Sequence, residues 1–156
     1  MRILGVDPGY DRLGIAVIEK SNGKEELVYS ECFETDSGLP FSERLSLVGT
    51  TLERIVAKHS PHHVALESVY FNTNKKTAMD VAAVRGVVLY IGERRKLEVF
   101  EYTPPQIKLA VAGAGRGSKE DVISMLHHLV DIKKEILLDD EYDAIAVALT
   151  HSAIHR

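Results

Sequence analysis

"MRILGVDPGYDRLGIAVIEK", residues 1–20, sets the architecture of the chain. Ile3, Leu4 and Val6 belong to an apolar run that stops at Asp7, and Leu13 to Ile18 make a second run. Pro8 and Gly9 between them are turn residues, so the stretch predicts two strands with a tight connection. "ELVYSECFE" (26–34) predicts a third, more exposed strand, with Leu27, Tyr29 and Glu31 on one side and Val28, Ser30 and Cys32 on the other. Three consecutive strands with short connections suggest an antiparallel meander.

The period then changes. In "FSERLSLVGTTLERIVAKH" (41–59), Phe41, Leu45, Val48, Leu52 and Ile55 recur every three or four residues. That spacing predicts an amphipathic helix with Arg44, Glu53 and Lys58 turned to water. "HHVALE" (62–67) reads as a short buried strand. After the polar "NTNKKT", "AMDVAAVRGVVLYIGERR" (78–95) is a helix apolar on nearly every side, interrupted mainly by Asp80 and Arg85. One face can meet the sheet; the surplus predicts a subunit interface.

"LEVFEY" (97–102) is a further strand, and two capped helices follow it. Thr103, Pro104 and Gln106 form one helix start, and Ser118 with Asp121 forms another. "LLDDEYDAIAVALTH" (137–151) is the last helix, acidic at its start and then small and apolar. The order β-β-β-α-β-α-β-α-α predicts a mixed α/β fold around one sheet.

Length and composition set the limits. A chain of 156 residues predicts one domain spanning 1–156, able to bury a core without staples. With 45% hydrophobic and 27% charged residues it has the composition of a globular protein. The single cysteine, Cys32, excludes an internal disulfide framework and fits a reducing compartment. "ILGV" runs straight into "DPGYDR", unlike a secretory leader, and no run nears the roughly 20 apolar residues a membrane span needs. The expectation is a cytoplasmic protein. A net charge of −4 argues by itself against nucleic acid as partner. Four carboxylates holding two Mg²⁺ would change that total by about +4.

The candidate chemistry lies in acids where strands and helices end. Asp7 ends the first strand and Glu67 ends "HHVALE". Strand ends in α/β sheets are where ligands usually bind. If those strands are parallel neighbours, the two carboxylates lie side by side. Asp140 and Asp143, three apart, project from one side of the last helix, whose Ala144, Val147 and Ala148 permit close approach to a sheet. Asp7, Glu67, Asp140 and Asp143 would then form an oxygen-only cluster, which hard cations such as Mg²⁺ or Mn²⁺ stabilise. Two such ions about 4 Å apart activate water and stabilise the leaving oxygen of a phosphodiester. Each acid alone has a plainer reading: helix-start electrostatics for Asp140 and Asp143, a turn residue for Asp7, a solvated strand end for Glu67.

Three segments in order carry a family resemblance: "GVDPGYDRLGIAVI" with Asp7, "VALESVYF" with Glu67, and "DDEYDAIAVALTH" with Asp140 and Asp143. Together with "PPQIKLAVAGAGRGSK" between the last two, they resemble the RuvC family of Holliday junction resolvases, in the RNase H-like nuclease superfamily. The resemblance implies an RNase H-like mixed five-stranded sheet with helices on both faces. It implies a metal-dependent endonuclease, with two Mg²⁺ or Mn²⁺ ions per site, that nicks a four-way DNA junction symmetrically as a homodimer. It also implies coupling to the RuvA–RuvB branch-migration complex. It carries roles near the active site and on DNA to Lys108 and Lys119, and junction intrusion to Tyr70 or Phe71. Asp139, four residues before Asp143, is an alternative to Asp140 as ligand.

Lys75, Lys76, Arg85, Lys108, Arg116 and Lys119 stand in or beside the loops and helix starts after the strands. A basic surface there would track a phosphate backbone without reading sequence. "GAGRGSK" is not a nucleotide-binding P-loop, because Ser118 stands where the second glycine belongs. "DPGYDRLG" also resembles the phosphate loop of the actin and sugar-kinase superfamily, so an ATP-binding phosphotransferase domain is one rival. A non-catalytic junction-binding protein is the other. The seven histidines include two adjacent pairs, whose side chains diverge, so no zinc site is expected; His151, two turns on from Asp143, is placed to neighbour the site, with packing or capping as its plainer reading.

Overall fold

Alternating burial along the opening strands divides the core in two. β1 (Arg2–Asp7), β2 (Arg12–Ser21) and β3 (Lys24–Glu34) form the antiparallel meander. β4 (His63–Glu67) and β5 (Glu98–Tyr102) join it in parallel, giving the order β3-β2-β1-β4-β5. Ile3, Ala16, Ile18 and Ala65 look to one face, and Leu4, Val6, Leu13, Ile15 and Val17 to the other. The computed structural model describes residues 1–68, 75–113 and 118–155, and of Lys75 and Lys76 the backbone alone.

Helices cover both faces of this RNase H-like sheet. α1 (Phe41–His59) and α2 (Lys75–Arg95) close one core through Val48, Leu52, Ile55, Val84, Val88 and Ile91. α3 (Pro104–Ala112), α4 (Lys119–Leu129) and α5 (Asp139–Ile154) close the other through Ile107, Val122, Leu126 and the Ala144–Leu149 stretch. Both expected capping boxes form: Thr103 with Gln106 starts α3, and Ser118 with Asp121 starts α4. None of the described helices is long and apolar enough to cross a membrane.

Two local expectations fail for physical reasons. Leu27 and Tyr29 do not share a face: Leu27 packs with the α5 side and Tyr29 with the α1 side. The cause is a bulge, since Val17 pairs with Tyr29 and Ile18 with Leu27, leaving Val28 as the extra residue. Arg44 does not face water either; it is buried over the β1–β2 turn. Its guanidinium donates to Asp11 and to Thr35 Oγ1 (2.9 Å) and lies 4.8 Å from the centre of the Tyr10 ring. Thr35 in turn donates to the Tyr10 carbonyl at 2.5 Å. The turn that follows Asp7 is therefore tied to α1.

The tightest contact is between α5 and the sheet. A Cβ on Gly5 would run into the Ala144 carbonyl and stand 2.8 Å from the Ala148 methyl. One on Gly14 would run into the Asp140 carbonyl and stand 3.0 Å from Asp7 Cβ. Gly5 pairs with Ala16 and Gly14 with Asp7 across the β1–β2 ladder, so small residues line one track for the helix. Gly5→Ala is expected to cost about 1–3 kcal/mol by overpacking, read by urea denaturation. An unchanged midpoint would mean that α5 does not depend on this approach.

Candidate active site at the strand ends

β1 and β4 run parallel, with Val6 opposite Leu66, so the next residues of the two strands, Asp7 and Glu67, end side by side. The two carboxyl groups are close enough to act on each other directly. Burial, then the charges of Glu67, Asp143 and Asp140, push the Asp7 carboxyl well above the usual carboxylate range. Lys119 opposes the shift without cancelling it. Glu67 is pushed from its ordinary 4.5 to about 7, by burial first and Asp143 second. Both shifts express one fact: negative charge is crowded where water is scarce.

The acids of α5 divide by direction. Asp140 is three-quarters buried, and its Oδ2 has no hydrogen-bond partner among the described residues. Arg12 Nη1, at 3.8 Å, is near enough for attraction and too far for a hydrogen bond. Burial raises the Asp140 carboxyl in turn. Asp143 and Asp139 both accept from Lys119 Nζ, at 2.9 and 2.5 Å. Burial alone would lower the Lys119 ammonium, but these two bonds outweigh it and hold the proton on more tightly than usual. Glu141, the fourth acid, turns inward and pairs with Lys134 at 2.6 Å, poorly aligned as a hydrogen bond. The helix start favours Asp139, Asp140 and Glu141, which stand in its first turn.

A cavity of about 220 Å³ opens beside the cluster, lined by Glu67, Asp143, Lys108 and Lys119 with Ile107 and Val122. Among the described residues no three His, Cys, Asp or Glu side chains already converge as an ion cage. Instead Asp143 closes on Lys119, while crowding and burial make Asp7 and Glu67 hold their protons more tightly than usual. The donor set nevertheless fits hard divalent cations: every donor is oxygen, and one buried oxygen of Asp140 lacks a partner.

Of the other sequence candidates, Tyr70, Phe71, Arg116 and the side chains of Lys75 and Lys76 lie outside the described residues. Arg85 is not free for phosphate, since its guanidinium makes a two-pronged pair with Glu101 at 2.8 and 2.6 Å. His151 is not at the site; it is fully buried and bonded to Tyr102 and His63. Arg12 is the neighbour the sequence reading passed over. Its place at the start of β2, just past the turn after Asp7, is the available signal.

Glu67 sets the sign of a pH effect. Folded, it holds a proton up to about pH 7; unfolded, it releases one near 4.5. Between these values the folded state binds more protons, so metal-free stability falls as pH rises. The slope from one group is at most about 1.4 kcal/mol per pH unit. Urea denaturation across that window should give the fall, Glu67→Gln should lessen it while Asp7 keeps its own raised carboxyl, and excess Mg²⁺ should oppose it. A flat profile for the unaltered metal-free chain would contradict the crowding.

Comparison with known proteins identifies the family. The family model described as crossover junction endodeoxyribonuclease RuvC matches residues 3–151. The RuvC of Halothermothrix orenii is 39% identical over 156 residues, covering 100% of this chain and 94% of the relative. That of Desulfitobacterium hafniense is 40% identical over 152 residues, covering 97% and 92%. Among solved structures, T. thermophilus RuvC in complex with a Holliday junction substrate superposes with a TM-score of 0.92 at 30% identity, covering 99% of this chain and 94% of that one. From strand ends to last helix, then, the chain belongs to the RuvC family of metal-dependent crossover junction endodeoxyribonucleases.

Proposed function

We propose that this endodeoxyribonuclease resolves four-way DNA junctions by paired symmetric nicks, with Asp7, Glu67, Asp140 and Asp143 holding two Mg²⁺ or Mn²⁺ ions. What carries the reading is the meeting of Asp7 and Glu67, on adjacent parallel strand ends, with the acidic start of α5. Like charges so crowded resist binding a phosphodiester unless cations join them. The bound ions would supply an activated water and a stabilised leaving oxygen.

The protein's own groups do the rest. Asp7 and Glu67, whose carboxyls hold protons unusually tightly, would have to release them to hold the ions. Lys119 and Lys108 flank the cavity from α4 and α3 and neutralise the scissile phosphate. Ile107 and Val122 form its dry wall. Lys75, Lys76 and Arg116 hold the duplex arms by phosphate contacts, and Tyr70 or Phe71 stacks into the opened junction. Stacking of that kind contributes about 1–3 kcal/mol per base.

Two symmetric nicks call for two sites, and a homodimer supplies them. The uncovered face of α2 supports this: Met79 is 72% and Tyr90 60% exposed. Leu45, Gly49, Val87 and Tyr90 line a groove of about 730 Å³ between α1 and α2. Hand-over from the RuvA–RuvB complex, in the cytoplasm, completes the reading. Tyr90→Glu should convert the dimer to monomer in sedimentation equilibrium while leaving the fold intact by circular dichroism. An unshifted mass would remove this face from the interface.

A synthetic four-way junction incubated with Mg²⁺, beside linear duplex of the same sequence, tests the function. Paired nicks in the junction and intact duplex are expected. Asp7→Asn should lower cleavage at least about a hundredfold while junction binding in gel shift stays within a few fold. Full-rate cleavage by that variant, or equal cutting of duplex, would refute the reading.

A further inference from the structure

Asp139 stands apart from the other acids of its helix. Its side chain is 56% exposed, and the cavity is lined by Asp143 and not by Asp139. Yet both carboxylates accept from one ammonium: Lys119 Nζ lies 2.5 Å from Asp139 Oδ2 and 2.9 Å from Asp143 Oδ2. Asp139 and Asp143 are one helical turn apart on α5, and Lys119 reaches them as the first residue of α4. The Ser118–Asp121 capping box fixes the backbone from which it reaches.

An ion that takes Asp143 removes one of the two partners of Lys119 and repels its charge. An ammonium on a flexible four-carbon stem then turns to water unless a second acceptor holds it. Asp139 is that acceptor. We propose that Asp139 is a positioning residue, which keeps Lys119 at the mouth of the cavity once Asp143 is given over to a metal ion. The proposal rests on the reading of Asp143 as a ligand and Lys119 as a phosphate contact. It also separates Asp139 from the ligand set: its near oxygen is committed to Lys119, whereas an oxygen of Asp140 lacks a partner.

The test is a double-mutant cycle on single-turnover cleavage of a synthetic four-way junction at saturating Mg²⁺. Asp139→Ala should slow cleavage about tenfold, the size of a lost charge-assisted hydrogen bond, with junction affinity within about twofold. In a Lys119→Met background the same change should have no further effect. Asp139→Glu should restore part of the rate. Additive losses in the two backgrounds would overturn the proposal. So would a tenfold or greater weakening of Mn²⁺ binding by Asp139→Ala in calorimetry, which would mark Asp139 as a ligand. Lys119→Met cleaving at full rate would instead sink the parent reading of Lys119. A readout that needs no cleavage is the lysine ammonium NMR signal that Lys119→Met deletes. It should survive Mg²⁺ in the unaltered protein and vanish in Asp139→Ala with Mg²⁺; its loss from the unaltered protein on adding Mg²⁺ would overturn the tether.

Discussion

Backbone contact between α5 and the first two strands governs the rest of the molecule. Gly5 and Gly14 carry no side chain where Ala144, Ala148 and the Asp140 carbonyl press on the sheet. A helix held off by larger residues would carry its acidic start away from Asp7 and Glu67. The far end of α5 is pinned separately. His151 shares hydrogen bonds with Tyr102 (2.7 Å) and His63 (2.8 Å), and Lys20 donates to the Ser152 carbonyl at 2.5 Å. Burial, then the neighbouring His155 and His63, hold the His151 imidazole down to about 4, so it is neutral near pH 7. Each end of the helix thus has its own anchor, and packing between them aims the carboxylates.

That aim concentrates charge that the chain only partly balances. Asp7, Glu67, Asp140 and Asp143 crowd together, with Lys119, Lys108 and Arg12 as nearby cations among the described residues. The result is protons retained on Asp7 and Glu67 and an unpartnered oxygen on Asp140. Such a cluster is a poor design for stability, and a good one for attracting hard cations and then a phosphate. The net charge of −4 therefore says little about DNA. What matters is how much of the negative charge the site gathers and neutralises.

Much of this was legible in the chain before any coordinates. Asp7 and Glu67 could be found because apolar strands announce their own ends, and Pro8-Gly9 marks the first of them. The parallel pairing of those strands was a conditional expectation, and the register bears it out. Both capping boxes were readable because their residues are local. What escaped depends on distance in sequence. The bulge at Val28 is set by the partner strand, and the burial of Arg44 by a turn more than thirty residues earlier. Helical spacing could not tell Asp139 from Asp140; Lys119, from another helix, separates them by bonding one and leaving the other.

Anomalous diffraction from crystals soaked in Mn²⁺ bears most directly on the central claim, that packing of α5 on the glycine track builds an ion site from scattered acids. Two peaks about 4 Å apart, within coordination distance of Asp7, Glu67, Asp140 and Asp143, are the expected result. Manganese bound only elsewhere on the surface, with these four carboxylates bare, would contradict it.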